Sequence, residues 1–447
     1  MRIWLKKDLS AEVWKLAGPV VVGMISQTLM NVVDTAMVGR LGAVALAATG
    51  LGGLLSWMVL GTLGGLATGV QAISARRYGE GDPLAAGKVL DNGIFIALVV
   101  GSVCSLLFSW GMSRIFFIFT EDPAVVVAGS GYISYRLLSG LPFMLMSAYR
   151  GFFNGIGKTK PYMRVVIVAN MINVALNYAL IFGKFGFPRM EAPGAGLATS
   201  IANIIGVVYF IIIAVKYKHR RQFRYHHPAN CDLTVCRSII NLALPAGMQV
   251  LLSMIGYAAF IAIVARIGTI ELATTNVCIT IWSVAFLPGV GIGVAAAALI
   301  GQKLGEKKPD KAEAYGWESV RLGMIVMGII GLSFLAVPDL IFRIFTDNPA
   351  VIAAGRIPLR ILGLIQIFDA TGMVLSQALQ GAGMNRWVLI VEIITNWGFF
   401  VPCTAAVVFL FGWGLNAAWL VMACYLIIFG ATVTIKFAGG KWKEVKL

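Results

Sequence analysis

The chain has 447 residues, of which 59% are hydrophobic and only 13% are charged, and its mean hydropathy is +0.84. A soluble domain usually carries about 25% charged residues, so this composition excludes soluble enzymes and soluble nucleic-acid-binding proteins. The net charge of +16 would suit a nucleic acid only if the basic residues formed one surface. They fall instead between apolar segments, and we expect no nucleic-acid partner.

Twelve long apolar segments follow one another along the chain. A helix that crosses about 30 Å of hydrocarbon needs about 20 apolar residues, and each segment meets this requirement. We therefore predict an all-α polytopic membrane protein with the lipid bilayer as its surroundings. The predicted spans are 16–38, 46–74, 89–113, 128–155, 162–183, 194–216, 237–265, 272–300, 316–339, 351–380, 387–411 and 414–435.

The basic residues are distributed unevenly between the two sides of the membrane. When the loops are assigned to alternate sides, 27 of the 36 Lys and Arg residues lie on the side that holds both termini. Basic loops remain in the cytoplasm, so we expect both termini to be cytoplasmic. We expect a multi-pass protein of the plasma membrane, in a bacterium the inner membrane.

The first span carries a polar stripe. Gln27, Asn31 and Asp34 are spaced i, i+4, i+7 and therefore share one helix face. An ionisable residue within a span costs about 3 kcal/mol on insertion scales, so Asp34 indicates a functional site. Pro19, which leaves a backbone carbonyl unpaired, is a candidate hinge.

The fifth and sixth spans carry further stripes, formed by Asn170, Asn173 and Asn177 and by Thr199 with Asn203. A carboxylate combined with amide and hydroxyl oxygens suits Na⁺, and a buried carboxylate could carry a proton instead. The alternative is that the amides only join one helix to another. We find no Lys or Arg at membrane depth in this half to pair with Asp34.

A basic segment, 216–237, separates the two halves, and we predict an N-lobe at 1–215 and a C-lobe at 238–447. The segment contains His226, His227, Cys231 and Cys236, and we considered a metal site there. The spacing matches no standard zinc pattern, so a polar linker is preferred. His219, the remaining histidine, lies in the same segment, which argues against a membrane-embedded enzyme.

In the second half, Asp369 forms a stripe with Gln366, Met373, Gln377 and Gln380. We expect this stripe to face a lumen that is also lined by Gln249, Ser253 and Tyr257. A negative site among Met and aromatic side chains would suit flat organic cations. Glu392, with Asn396 one turn later, lies close to the interface in the eleventh span, and either Asp369 or Glu392 could form a second ion site.

The two halves are internal repeats related by one constant offset along the chain. Five landmarks align at this offset: Pro19 with Pro245, Arg40–Gly42 with Arg266–Gly268, Gly79–Glu80 with Gly305–Glu306, Phe119–Pro123 with Phe345–Pro349, and Gly155–Gly157 with Gly381–Gly383. Because six spans bring the chain back to the same side, the repeats are parallel. Parallel repeats are typical of transporters that rock two bundles about a central cavity.

The chain resembles the multidrug and toxic compound extrusion (MATE) family, including its NorM-like and DinF-like members. The motifs that carry the resemblance are Pro19 with Asp34–Gly42, Ala75–Asp82, Gly151–Gly157, Gln302–Glu306 and Gln377–Gly383. The resemblance implies two six-helix lobes, alternating access, and export of diverse, often cationic compounds in exchange for Na⁺ or H⁺. It implies no cofactor, and we expect no obligate protein partner.

Transferred onto this sequence, the cation site of the family would comprise Asp34, Asn173, Asn177 and Thr199. Asn177 is similar to the NorM arrangement, because DinF-like members often carry an Asp there. Asp369 matches the helix-10 acid of NorM-like members, whereas Ser253 stands where their helix-7 acid would be. The alternative, a lipid-linked saccharide flippase, would need cationic groups in the cavity to hold pyrophosphate, and the mid-span charges here are acidic.

Overall fold

A computed structural model describes residues 7–217 and 220–447, and these residues form helices without a strand among them. Arg2, Lys6, Lys218 and His219, on which the charge and histidine arguments drew, lie outside the described residues. The helices of the first half are α1 (Lys7–Gly39), α2 (Ala43–Leu63), α3 (Gly65–Gly79), α4 (Pro83–Ile115), α5 (Pro123–Leu137), α6 (Gly140–Gly155), α7 (Lys160–Phe182) and α8 (Glu191–Lys216).

A short helix, α9 (Arg220–Phe223), lies in the segment between the halves. The second half contains α10 (Leu233–Ala265), α11 (Thr269–Gly305), α12 (Pro309–Ala336), α13 (Pro338–Arg343), α14 (Pro349–Gly381), α15 (Asn385–Glu392), α16 (Val401–Ala405) and α17 (Leu415–Ala438). A π-helical stretch, Ile393–Phe400, joins α15 to α16, and a second, Ala406–Leu410, extends α16, so that Asn385–Leu410 is one long helical span.

Eleven helices in the described part of the chain are long and apolar enough to cross a membrane, when α2 and α3 count as one. The remaining predicted span, 128–155, is the fourth in chain order and corresponds to α5 and α6, which are separated at Leu138 and Ser139. Pro142 lacks the N–H that would bond to the Leu138 carbonyl. Ser105 of α4 compensates, because its hydroxyl donates to Leu138 O (3.5 Å) and accepts from Leu141 N (2.7 Å).

The predicted duplication is visible in the helix boundaries. The offset that carries Pro19 onto Pro245 also carries the end of α1 at Gly39 onto the end of α10 at Ala265, and α11 covers the positions equivalent to α2 and α3. The caps are repeated as well: Asp122 accepts from Ala124 N (2.9 Å), and Asn348 accepts from Ala350 N (3.0 Å). The predicted all-helical fold with two repeats is thus confirmed.

The chain divides into two compact units, and each boundary lies within a helix. The first unit is Val22–Gly247, and the second is Met248–Leu447 together with the described residues before Val22. In the second unit, the first turns of α1 contact α12, where the Tyr315 hydroxyl donates to Glu12 and Ser10 donates to Glu318. In the first unit, Gly247 near the middle of α10 lies against Thr62 of α2. The first helix of each repeat therefore begins in one unit and ends in the other.

Candidate functional site

The four residues of the expected cation site lie together in the first unit. Asn177 of α7 donates from Nδ2 to Oδ1 of Asp34, which is half-buried on α1, and also to Asn173 Oδ1 (3.0 Å). Asn173 Nδ2 donates to Thr199 Oγ1 of α8 (3.2 Å), and this hydroxyl donates to Ala195 O (3.0 Å). One hydrogen-bonded chain thus runs from the carboxylate across three helices.

The hydrogen-bonded chain from Asp34 to Thr199 leaves oxygen atoms without a full set of hydrogen bonds. Asn177 Oδ1 is buried and has no hydrogen-bond partner among the described residues. If the Asn173 amide is rotated by half a turn, its nitrogen lies 3.1 Å from Asp34 Oδ1 and its oxygen faces Thr199. An unpartnered buried carbonyl oxygen is costly, and beside a carboxylate and a hydroxyl it is a suitable ligand for a small hard cation.

Arg136 of α5 is a charged neighbour of this cluster that the sequence analysis missed. α5 packs closely on α8, because Ser200 Oγ donates to Tyr135 O (2.6 Å) and a Cβ on Gly196 would lie 3.2 Å from Arg136 N. The guanidinium charge acts on the Asp34 carboxylate. No ion pair joins Arg136 to Asp34 among the described residues, so the carboxylate is influenced by a positive charge but is not neutralised by it.

The other members of the predicted stripe on α1, Gln27 and Asn31, do not hydrogen-bond to the amide cluster. Gln27 donates to Met30 of its own helix (Nε2 to Sδ, 3.7 Å), and Asn31 is exposed. Asn170 of α7 donates to Ser26 Oγ (3.0 Å) and not to a member of the stripe. Asp34 is therefore the member of the stripe that joins the amide cluster, and a cavity role for Gln27 and Asn31 remains a prediction. α1 continues as a helix through Pro19.

In the second unit, Asp369 of α14 is buried, with 7% of its surface exposed. It accepts a hydrogen bond from Trp282 Nε1 of α11 (2.9 Å), and the Trp282 ring lies 5.5 Å from the ring of Tyr257 on α10. The carboxylate and two aromatic rings therefore form one group. Trp282 was not predicted, because no periodic pattern connects it with Asp369.

The predicted glutamines of the second unit have different surroundings. Gln249 accepts from Gln380 Nε2 (2.6 Å). Gln366 is fully buried, and neither atom of its amide group has a hydrogen-bond partner in the described chain. A role for Gln366 in lining a cavity would therefore require a conformation that exposes it.

Glu392 has the largest number of hydrogen-bond donors of the three carboxylates. Its Oε1 accepts from Ser253 (2.6 Å), Asn396 (3.0 Å) and Tyr425 (3.2 Å), and the residue is 2% exposed. A π-helical stretch begins directly after it, and such stretches frequently occur at functional sites. Sequence reasoning identified Glu392 and Asn396 but missed Tyr425, which lies on another helix.

His226, His227, Cys231 and Cys236 form no metal-binding group among the described residues. Cys231 is exposed, Cys236 donates to Asn92 Oδ1 (3.1 Å), and the His226 ring contacts the Tyr149 hydroxyl (2.9 Å). Within residues 7–217 and 220–447, no three His, Cys, Asp or Glu residues are grouped so that they could hold a metal ion. The structure therefore gives no support to the metal site considered for this segment.

Repeated bundles of long apolar helices with buried polar side chains are the architecture of a polytopic helical membrane protein. The chain belongs to the MatE family of transporters, which it matches over residues 19–179 and 245–406. The two matched segments begin at Pro19 and Pro245, the first pair of landmarks in the internal repeat. The prediction that the protein is a transporter and not an enzyme is confirmed.

Curated relatives match nearly the whole chain. The probable multidrug resistance protein NorM of Thermotoga maritima is 27% identical over 440 residues, which cover 98% of this chain and 94% of the relative. The protein of the same name from Pseudomonas aeruginosa is 27% identical over 440 residues, covering 97% and 89%. The multidrug resistance protein MdtK of Pectobacterium atrosepticum is 25% identical over 390 residues, covering 87% and 85%.

Solved structures share the fold. A MOP superfamily transporter from Pyrococcus furiosus superposes with a TM-score of 0.89 at 19% identity, and the match covers 97% of each chain. The eukaryotic MATE transporter AtDTX14 superposes with a TM-score of 0.87 at 17% identity, covering 98% of this chain and 97% of that one. At these identities the likeness establishes the fold of the chain.

Proposed function

We propose that this protein exports structurally diverse organic compounds, mainly cations, by alternating access in exchange for Na⁺ or H⁺. Export of drugs is suggested by the names of the relatives. Binding of the coupling ion is supported by one observation above all. Asp34 is linked to Asn177, Asn173 and Thr199 across three helices, and it has no ion-paired cation among the described residues.

The proposed cycle begins when the coupling cation reaches Asp34 from outside. It neutralises the carboxylate and replaces the hydrogen bond from Asn177, whose unpartnered oxygen can then turn towards the ion. Cation and drug favour opposite states of one conformational equilibrium, so binding of one weakens binding of the other. α1 is continuous through Pro19 and begins in the second unit, so a displacement at Asp34 can be transmitted along one helix.

The substrate preference follows from the second unit. Asp369 supplies negative charge, while Trp282 and Tyr257 supply aromatic faces close to it. Organic cations interact favourably with both groups. We propose that this group selects cationic compounds when the protein opens a path to it.

The experiment that tests this function is drug efflux from proteoliposomes on which Na⁺ and pH gradients are imposed independently. We expect only one of the two gradients to drive efflux. We also expect added drug to displace the coupling ion from Asp34. Drug movement that follows its own concentration gradient, regardless of both ion gradients, would contradict cation-coupled export. The gradient that works identifies the ion.

The membrane orientation can be tested at the linker, where Cys231 is exposed. We propose that the linker and both termini are cytoplasmic in the bacterial inner membrane, because most Lys and Arg residues fall on the side of the termini when the loops are assigned to alternate sides. A variant that keeps Cys231 as its only cysteine should react with a membrane-impermeant maleimide in inside-out vesicles and not in intact cells. The reverse labelling pattern would invert the proposed topology.

A further inference from the structure

The segment that follows α8 is held firmly against the first unit. Asp91 of α4 accepts from His226 N (2.7 Å), His227 N (3.3 Å) and Asn230 Nδ2 (2.7 Å). The neighbouring Asn92 donates to Asn230 O (2.8 Å) and accepts from Asp232 N (2.8 Å). The basic linker therefore has a fixed shape, unlike a loose polar connection.

Buried aromatic side chains anchor the same segment. Phe223 and Tyr225 pack edge-on against Phe152 of α6, with ring centroids 5.4 and 5.6 Å away, and the Tyr225 hydroxyl donates to Ala214 O (2.7 Å). Burial lowers the pKa of His226, although the Asp91 carboxylate opposes this shift. Arg224 and His226 of this segment adopt left-handed backbone angles (φ of 46° and 63°), which are uncommon for residues other than glycine. Such angles persist where the surroundings impose them, often at functional sites.

A basic cavity of about 480 Å³, open to the surface, lies between this anchored segment and the end of α8. Arg220, Arg221 and Arg224 line it, together with Tyr225, His226 and Val215. None of the three arginines forms an ion pair with an acidic side chain in the described part of the chain, and the oxygens of the nearby Asp91 already accept from the linker. Guanidinium groups bind phosphate oxygens in a bidentate manner, so the lining favours a phosphate-bearing ligand.

An apolar helix face leads into the cavity. Val208, Ile211, Ile212 and Val215 follow the i, i+3, i+4, i+7 spacing on α8 and therefore share one face. Each is between 40% and 49% exposed, and α8 is one of the membrane-spanning helices. The basic cavity thus begins where an exposed apolar stripe ends, which is the arrangement of polar and apolar parts in a phospholipid.

We propose that this cavity is a binding site for an anionic phospholipid. The phosphate of the headgroup lies among Arg220, Arg221 and Arg224, and one acyl chain follows the stripe from Val215 to Val208. Basic residues at the membrane surface attract anionic lipids, each contributing to affinity. The anchored segment adds a defined pocket to that general attraction, so the site should distinguish lipids by their headgroup.

The test uses the full-length protein in detergent and native mass spectrometry with added phosphatidylglycerol or phosphatidylcholine. We compare the triple variant Arg220→Gln/Arg221→Gln/Arg224→Gln with the charge-matched control Lys158→Gln/Lys160→Gln/Arg164→Gln. The control residues are exposed and do not line the cavity. We expect the affinity for the most tightly retained phosphatidylglycerol to fall at least about tenfold in the triple variant and to remain unchanged in the control.

Equal retention of phosphatidylglycerol by the triple variant and the control would overturn the proposal, as would equal retention of phosphatidylcholine by the unmodified protein. Inorganic phosphate and glycerol phosphate form a further arm. If either binds as tightly as the lipid, the site takes a soluble anion and the acyl chain plays no part. Arg221→Gln, a single change at an exposed side chain, serves if the triple variant does not fold. It should weaken phosphatidylglycerol binding severalfold, and unchanged binding would again overturn the proposal.

Discussion

Asp34 in the first unit and the carboxylates of the second unit have different surroundings. Asp34 is half-buried, and the amide that donates to it carries an oxygen with no partner in the described chain. Asp369 and Glu392 are almost completely buried, and Glu392 accepts from three side chains. We therefore expect that binding an ion at Asp34 would require only a local rearrangement, whereas access to the second pair would require a larger opening.

The repeat shows that this difference arose on a shared scaffold. The offset between the halves carries Asp34, Asn173 and Asn177 onto Phe260, Phe399 and Cys403. Phe260 is fully buried and packs on Phe400 (5.4 Å) and Trp419 (5.5 Å). In the opposite direction, the first-half equivalents of Asp369 and Glu392 are apolar, Phe143 and Val166. The halves share the repeat but place polar groups at different points, so each half can serve a separate task.

The largest expected effect is that of Asp34→Asn. The amide keeps the size of the side chain but carries no negative charge that a proton or Na⁺ could neutralise. We therefore expect cation-driven efflux from loaded vesicles to be abolished while expression stays normal. Asp347→Asn, at an exposed acid of the second half, is the matched control and should transport normally. Full activity of Asp34→Asn would remove this carboxylate from the coupling mechanism.

The second prediction tests whether the second half retains a latent copy of the cation site. Phe260→Asp places a carboxylate in an aromatic core without the amides that surround Asp34. We expect a loss of about 4 kcal/mol or more in the free energy of unfolding, seen as a lower unfolding temperature and less monodisperse protein in detergent. Phe260→Leu, the control, should cost about 1.5 kcal/mol. A stable Phe260→Asp protein that binds an additional Na⁺ or H⁺ would show that the two halves are more alike than their contacts indicate.

Much of this comparison could be predicted from the sequence, because hydropathy and helical periodicity determine the spans and the stripes. The twelve spans, the repeat and the separate polar stripes that contain Asp34, Asn173, Asn177 and Thr199 depend on such local patterns. The grouping of these four residues into one site came from the resemblance to the family. The sequence analysis missed the break between α5 and α6, although Pro142 lies there, and the compensation of this break depends on Ser105 of another helix. The sequence analysis also missed Trp282 beside Asp369 and Tyr425 beside Glu392. These are contacts between distant segments, and no spacing in the sequence encodes them.

The third prediction concerns substrate selection in the second unit. Asp369→Asn removes the negative charge beside Trp282 and Tyr257 but retains an acceptor for the indole N–H. We expect the KM for a cationic dye to rise about tenfold, corresponding to about 1.4 kcal/mol, while the KM for a neutral compound changes less than twofold. Glu392→Gln is the control, and it should affect both compounds alike. Unchanged resistance of Asp369→Asn cells to cationic drugs would contradict a substrate role for Asp369.

The smallest expected effect concerns the positive charge near Asp34. We expect Arg136 to oppose binding of a cation at Asp34, because its charge acts on the same carboxylate without forming an ion pair in the described chain. Arg136→Gln should therefore lower the Na⁺ or H⁺ concentration for half-maximal efflux about fivefold, equivalent to about 1 kcal/mol for a screened charge pair. Maximal efflux should fall, because a more tightly held ion is released more slowly on the inner side.

Arg114→Gln, at an exposed arginine stacked on Trp110, should change neither value. A higher concentration for half-maximal efflux in Arg136→Gln would mean that the guanidinium orders the site, and its contribution would then be structural and not electrostatic.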